Sequence, residues 1–262
     1  MCLWFEYKTS ICCKGDLLEG AKLILDIDIG NTNLKWMFKK SGCCVGRGVL
    51  GNNSADWGEL LAQVTERVSR VRVSNVGGVR IAAVVKEKVQ AEFGVEPEFA
   101  EASKLTAGVR SGYLAPDKLG VDRWMGVVAG WHLSKSSCLI VDAGSALTLD
   151  FVSAAGKHLG GYIVPGHEMM IRSLCDGAEG IQFDLAPCAD IGIGRSTETA
   201  VLNGCMKLAV TLIERCILEG IEGMEPIVIL TGGGAERLMQ YLPDKVLLEP
   251  DLVFDGLELA MP

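Results

Sequence analysis

Apolar and polar positions along this chain recur with two spacings, and the switches between them mark its elements. KLILDID (22–28) is β-rich and ends at Gly30-Asn31-Thr32. NLKWMFKK (33–40) alternates apolar with polar, and CVGRGVL (44–50) reads as a third strand beyond a glycine-containing turn. Strands joined by such tight turns predict an antiparallel meander. Residues 55–69 place Trp57, Leu60, Leu61, Val64 and Val68 on one face at helical spacing, predicting a helix. VRVSNV (71–76) predicts a strand and 79–93 another helix.

A second start follows. Residues 119–134 read as a helix, with Leu119 and Val121 leading its apolar face. SCLIVDAG (137–144), SALTLDFVS (145–153) and KHLGGYIVP (157–165) repeat the strand-turn-strand-turn-strand order. Helices are expected near 166–176 and 197–219, then a strand running into glycines at PIVILTGGG (226–234) and a helix near 234–241. KVLLEP (245–250) and a helix near 254–260 close the chain. Asp-x-Gly followed by a meander thus occurs twice, at Asp28-Ile29-Gly30 and Asp142-Ala143-Gly144, a weak internal duplication. The expected architecture is α/β, with two similar mixed-sheet halves and a cleft between them. The halves are drawn at 22–130 and 131–262, after an N-terminal extension at 1–21.

Composition narrows the function. With 262 residues, 49% of them hydrophobic and 22% charged, the chain can bury real cores and is not of disordered composition. A net charge of −8 provides no general footprint for nucleic acid or an anionic membrane. No apolar run reaches the roughly 18 residues of a membrane helix. The N-terminal segment, broken by Glu6, Lys8 and Lys14, is not a signal peptide. A cytoplasmic protein is expected. Ten cysteines without a CxxC pair, beside three histidines, argue against structural zinc and for free, buried thiols. The pairs Cys12-Cys13 and Cys43-Cys44, in polar or turn-rich sequence, are open to exposure.

Five segments carry candidate chemistry. In Asp28-Ile29-Gly30-Asn31-Thr32-Asn33-Leu34-Lys35 a strand delivers a carboxylate, a glycine permits a tight turn, and Asn31, Thr32 and Lys35 offer donors. That set can cradle phosphates, with Asp28 on Mg²⁺ directly or through water; an Asn-Thr turn between strands uses the same residues for conformation alone. Asp142-Ala143-Gly144-Ser145 repeats the logic with a hydroxyl at Ser145. Thr231-Gly232-Gly233-Gly234 lets a flat ring or ribose approach the backbone. Gly120-Val121-Asp122-Arg123, with Gly112-Tyr113 upstream, can be a helix cap or a substrate pocket. In a pocket, Asp122 orients and deprotonates a primary alcohol and Arg123 grips a carboxylate through two parallel hydrogen bonds. Gly160 to His167 reads as a fixed Pro-Gly turn, and His167 takes no role.

With these segments in view, the chain resembles the type III pantothenate kinases from about residue 22 to its end. The likeness is densest at DIGNTNLKW (28–36), AGVRSGYLAPDKLGVDRW (107–124), VDAGSALTLD (141–150) and HLGGYIVPG (158–166). It implies the actin-like ATPase (ribonuclease-H-like) fold and ATP-dependent phosphorylation of pantothenate to 4′-phosphopantothenate, the first step of coenzyme A biosynthesis. It further implies that residues 28–35 (Asp28 to Lys35) and Ser145 bind ATP, and that Tyr113, Gly120, Val121, Asp122, Arg123 and Thr197 bind pantothenate. Asp122 would be the proton acceptor, and Asp142 would hold a monovalent cation, K⁺ or NH₄⁺. Mg²⁺ and a homodimer whose interface helps form the substrate site complete the expectation. Many members have threonine where this chain has Ser145; the hydroxyl is retained. Two alternatives stay open: a non-catalytic regulatory homologue, and a kinase for another small hydroxy-acid on the same fold.

Overall fold

The computed structural model describes residues 20–51, 57–64, 66–177 and 190–262. The expected extension at 1–21 lies outside them apart from its last two positions, as does part of the expected 55–69 helix. By packing, the described residues form two compact units interleaved in sequence: those within 1–102, 120–125 and 253–262, and those within 103–119 and 126–252.

The first unit is built on β1 (Leu23–Ile29), β2 (Asn33–Lys40), β3 (Cys43–Gly51), β4 (Val68–Asn75) and β5 (Glu98–Phe99), in the order β3-β2-β1-β4-β5. The three leading strands form the expected antiparallel meander, and β4 pairs parallel to β1. Alternation along a strand sends successive side chains to opposite faces. One face is apolar: Leu25, Ile27, Trp36, Phe38 and Val73 pack against Trp57, Leu60 of α1 (Gly58–Ala62), and Val85 and Val89 of α2 (Val79–Phe93).

The other face buries charge. Asp26, Asp28, Lys39, Arg72 and Ser74 are all buried there. Arg72 grips Asp26 with two hydrogen bonds of 2.7 and 2.9 Å, and Lys39 Nζ lies 3.7 Å from the same carboxylate. These cations also hold residues 254–262. Lys39 donates to the Phe254 carbonyl at 3.1 Å and to Glu258 at 2.8 Å, and Arg72 donates to the Met261 carbonyl at 3.0 Å. Arg70 adds the Met261 and Pro262 carbonyls. Residues so distant in sequence meet the first sheet because buried cations there need acceptors.

The second unit repeats the plan. β8 (Cys138–Ala143), β9 (Ala146–Val152), β10 (His158–Pro165), β11 (Ile227–Thr231) and β12 (Val246–Leu248) run in the order β10-β9-β8-β11-β12, again a meander extended by two parallel strands. Two short paired strands, β6 (Leu105–Thr106) and β7 (Val109–Arg110), precede it. On one face Leu139, Val141, Leu147 and Leu149 meet Ile171 of α4 (His167–Gly177), Met206 and Val210 of α5 (Thr197–Glu219), and Leu238 of α6 (Ala235–Met239). On the other, α3 (Val121–Ser134) brings Gly126 and Gly130 against Ile140, so close that a Cβ at Gly130 would lie 2.7 Å from it. α5 opens on Ser196, whose side chain accepts from the Thr199 amide while Thr199 returns the bond, a reciprocal cap. The last helix is α7 (Leu252–Ala260).

The expected 55–69 helix is corrected. Among the described residues α1 stops at Ala62, and Val68 belongs to β4, opposite Leu23. The β-branched run VSRVRV pairs more profitably with a buried neighbouring strand than it extends a helix. β5, β6 and β7 have no counterpart in the sequence pattern, being two residues each. Of the cysteines described, Cys138, Cys205 and Cys216 are buried thiols outside any disulfide, Cys44 and Cys175 are half-buried ones, and Cys43 is disulfide-bonded.

Removing one member of a buried ion pair strands its partner, at a cost of about 3–5 kcal/mol. Asp26→Ala is therefore expected to lower stability by about that much, read as a shift of the urea midpoint. A change under about 0.5 kcal/mol, the ordinary range of a surface substitution, would show that the cluster contributes nothing.

Candidate active site

Asp28 stands near the end of β1, opposite Lys35 on β2 and Ser74 on β4. The turn after it closes through Gly30 N–H donating to the Asn33 carbonyl at 3.0 Å, and Val76 N–H donates to the Ile29 carbonyl at 2.9 Å. Asn31, Thr32 and Asn33 project into solvent and Lys35 is half-buried. Ile29 and Leu34 put their side chains into the apolar core, so only their backbone faces the turn. Asp28 is buried, and its Oδ1 has no hydrogen-bond partner among the described residues. Burial pushes its carboxyl up to about 6, the charge of Asp122 adds to the rise, and Ser74 and Lys35 oppose it. Two of the expected residues, Asp28 and Asp122, thus lie in the first unit near enough for the charge of one to raise the carboxyl of the other.

Asp122 lies in the first turn of α3, where the helix dipole favours a negative charge. Its Oδ1 accepts from the Arg123 amide at 2.7 Å. A Cβ on Gly120 would stand 2.7 Å from that oxygen, so a side chain there would displace the Asp122 carboxylate. Val121 is half-buried and Arg123 is buried.

In the second unit Asp142 occupies the equivalent place, opposite Thr148 and Thr231. Gly144 N–H donates to the Ala146 carbonyl at 3.0 Å, matching the closure of the first turn. Gly234 N–H donates to the Ala143 carbonyl at 2.8 Å and Gly166 N–H to the Ser145 carbonyl at 3.0 Å, so this turn is clasped from both sides. A Cβ on Gly232 would lie 2.3 Å from Asp142 Oδ1. Two glycines of the Thr231–Gly234 run therefore serve Asp142 and its turn, while Gly233 faces open space. Ser145 is exposed. Tyr113 is half-buried against β10, its ring stacked on His158. Thr197 is exposed at the start of α5 and lines a groove of about 720 Å³ with Pro165, Met170, Leu174, Val201 and Leu208.

Sequence reasoning missed Ser74, whose only signal was a small polar residue inside an apolar strand, and His158, which read as part of a turn-rich strand. Among the described residues no group of three or more His, Cys, Asp or Glu side chains forms a metal cluster, and no helix is long and apolar enough to cross a membrane.

Comparison with known proteins supplies the context. Residues 24–219 match the family model described as type III pantothenate kinase. The type III pantothenate kinase of Ectopseudomonas mendocina is 35% identical over 252 residues, covering 92% of this chain and 99% of that protein. The one from Nitrosococcus oceani is 36% identical over 247 residues, covering 90% and 92%. Among solved structures, one described as a conserved Baf family transcriptional activator from Campylobacter jejuni has a TM-score of 0.58 at 21% identity, covering 89% of this chain and 95% of that one. The ethanolamine utilization protein EutJ of Carboxydothermus hydrogenoformans has a TM-score of 0.54 at 15% identity, covering 97% of each. These likenesses show the actin-like ATPase fold. Paired Asp-x-Gly turns on duplicated sheets, the Gly120–Arg123 helix start and relatives matched over nearly their whole length converge: the chain belongs to the type III pantothenate kinase family.

Proposed function

We propose that this protein transfers the γ-phosphoryl group of ATP to the primary alcohol of pantothenate, giving 4′-phosphopantothenate at the entry to coenzyme A biosynthesis. The observation that carries the reading is Asp28, buried at the Asp-x-Gly turn with an oxygen that has no partner among the described residues and within reach of the charge of Asp122 at the start of α3. The family match then selects the substrate.

In the reaction a lone pair on the alcohol oxygen forms the new bond to γ-phosphorus, the bond to the β-bridging oxygen breaks, and ADP leaves. Asp122 accepts the hydroxyl proton. A carboxylate is a weak base for an alcohol, so Asp122 chiefly orients the oxygen and takes the proton late, as a loose transition state requires. Arg123 takes the pantothenate carboxylate, and Tyr113, Gly120, Val121 and Thr197 complete the acceptor site. The segment from Asp28 to Lys35 and the Ser145 hydroxyl hold the phosphates, with Lys35 neutralising oxygen charge.

Mg²⁺ fits Asp28, whose free buried oxygen is a ligand atom in want of a cation. Asp28 would hold the ion, which would supply positive charge to offset that of the phosphate oxygens. A monovalent cation, K⁺ or NH₄⁺, is assigned to Asp142, whose half-buried carboxylate at the end of β8 offers the oxygen such an ion takes. The apolar groove beside Thr197, with Leu208 and Leu174 exposed, supports a homodimer that uses this face. Dependence on ATP argues for the cytoplasm as its compartment.

ADP release on adding pantothenate and ATP, increased by K⁺, is the expected result of a coupled assay. Binding of pantothenate without turnover would point instead to a regulatory homologue, and turnover only with another small hydroxy-acid would replace the substrate. Asp122→Asn is expected to keep the fold and ATP affinity while losing most turnover, at least about a hundredfold for a lost acid–base group; near-wild-type turnover would remove Asp122 from the chemistry.

Asp28 gives a prediction of opposite sign for stability. Its folded value of about 6 lies above the ordinary 3.8, so the native state holds the proton more tightly. That contribution is complete below pH 3.8 and is lost as pH rises through about 6. Above it the buried charge costs about 3 kcal/mol. Asp28→Asn should therefore be inactive yet more stable than wild type at pH 8, by about 1–3 kcal/mol, with the gain vanishing at pH 4 in urea titrations. A variant less stable at both pH values would show that Asp28 is a structural acid.

For the dimer, Leu208→Glu is expected to convert a sedimenting dimer to monomer with an unchanged circular dichroism spectrum. A wild-type protein that sediments as a monomer at micromolar concentration would sink this part of the reading.

A further inference from the structure

Tyr113 comes from a connecting segment between β7 and a short turn at Pro116–Lys118, yet its ring is held in one orientation. The means lie beneath it, all within the second unit. Arg110 N–H donates to the Gly156 carbonyl at 2.8 Å, and Arg110 bridges Lys157 in parallel. A Cβ on Gly112 would stand 2.1 Å from the His158 carbonyl oxygen, so the segment lies flat on the start of β10. The Tyr113 ring then sits over the His158 imidazole, centroids 5.8 Å apart and planes within 20°. His158 is fully buried, and its Nε2 lies 2.9 Å from Oδ1 of Asp150, itself 1% exposed.

This arrangement depends on an irregularity in the strand. Asp150 pairs with Gly161 and Phe151 with Gly160, but Val152 pairs with His158, so Leu159 is an extra residue. Across a ladder, paired residues share a face. Without the extra residue His158 would fall on the face of Phe151; with it, His158 shares the face of Val152 and Asp150. Bulges re-aim side chains in this way. Gly160, at φ 117°, supplies the backbone the bulge needs.

We propose that Asp150 and His158 are positioning residues for substrate binding: Asp150 clamps the imidazole, the bulge aims it, and the imidazole is the plate on which the Tyr113 ring is held flat before pantothenate arrives. The inference rests on the assignment of Tyr113 to the pantothenate site. Neither side chain touches the reacting atoms. Their effect is to remove beforehand the disorder that substrate binding would otherwise have to remove, which for one side chain amounts to roughly a three- to tenfold change in affinity.

His158→Leu is expected to raise KM for pantothenate about three- to tenfold, with kcat and KM for ATP within about twofold. His158→Phe, which keeps a flat ring, should recover part of the loss. Combining His158→Leu with Tyr113→Ala should cost no more than Tyr113→Ala alone, because both remove one interaction. Equal increases in both KM values, or additive losses, would overturn the proposal. A second readout needs neither substrate nor turnover: with three histidines in the chain, the imidazole proton signals of wild type and Tyr113→Leu can be compared by NMR. Loss of the Tyr113 ring current should move the His158 signals, and unchanged signals would refute the stack. This arm leaves His158 in place, so it decides even where the His158 variants fail to fold. Failure of wild type to phosphorylate pantothenate, with the ring-current shift present, would count against the substrate assignment alone.

Discussion

The first unit is organised around a carboxylate kept under tension. Asp26 and Asp28 lie on the same strand, on the same face, and both are buried. Asp26 receives two hydrogen bonds from Arg72 and the nearby charge of Lys39. Asp28 keeps one oxygen without a partner among the described residues. A sheet that can satisfy one aspartate completely could satisfy the next, so the difference is informative. Unsatisfied buried acids are costly, and proteins depart from full satisfaction where a ligand completes the set. Arg72, two residues before Ser74 on β4, is spent on Asp26 and the Met261 carbonyl.

The second sheet uses the same topology with different chemistry. Both turns follow the first strand of a meander, both close through a glycine amide, and both receive a further amide from the loop after a parallel strand. The neighbours of the carboxylate differ. Asp28 has Lys35 and Ser74 opposite it, whereas Asp142 has Thr148 and Thr231. One turn offers an ammonium beside a deeply buried acid; the other offers hydroxyls beside a half-buried one. Duplication set the positions, and local substitution gave each turn its own set of polar neighbours.

Much of this was legible in the sequence, for identifiable reasons. Strand alternation and Asp-x-Gly turns are local signals, and both meanders form where LILDIDI and CLIVDA predicted them. The acidic helix start at Asp122 was visible as a short motif. What escaped was set by long-range partners. Nothing near Val68 says that Leu23 will claim it for a sheet, and nothing near Lys39 announces the Phe254 carbonyl. Ile29 and Leu34 belong to the candidate motif as letters, but their side chains serve the core. The bulge at Leu159 is invisible to a pattern search, because one extra residue changes the facing of His158 without changing the composition of the strand.

Close backbone approach links these features. A Cβ on Gly120 would meet Asp122 Oδ1, one on Gly232 would meet Asp142 Oδ1, and one on Gly112 would meet the His158 carbonyl. In each case the glycine matters for the volume it lacks. At Gly120 the Asp122 carboxylate would have to swing away, whereas the backbone that Gly232 and Gly112 press against cannot move aside. Within the second unit, Asp142 and the Tyr113 support are thereby fixed by main chain pressed against them, and groups fixed in this way lose little ordering entropy on meeting a ligand. The same closeness explains why rigid strands and a helix start, rather than mobile loops, carry Asp28, Asp122 and Asp142.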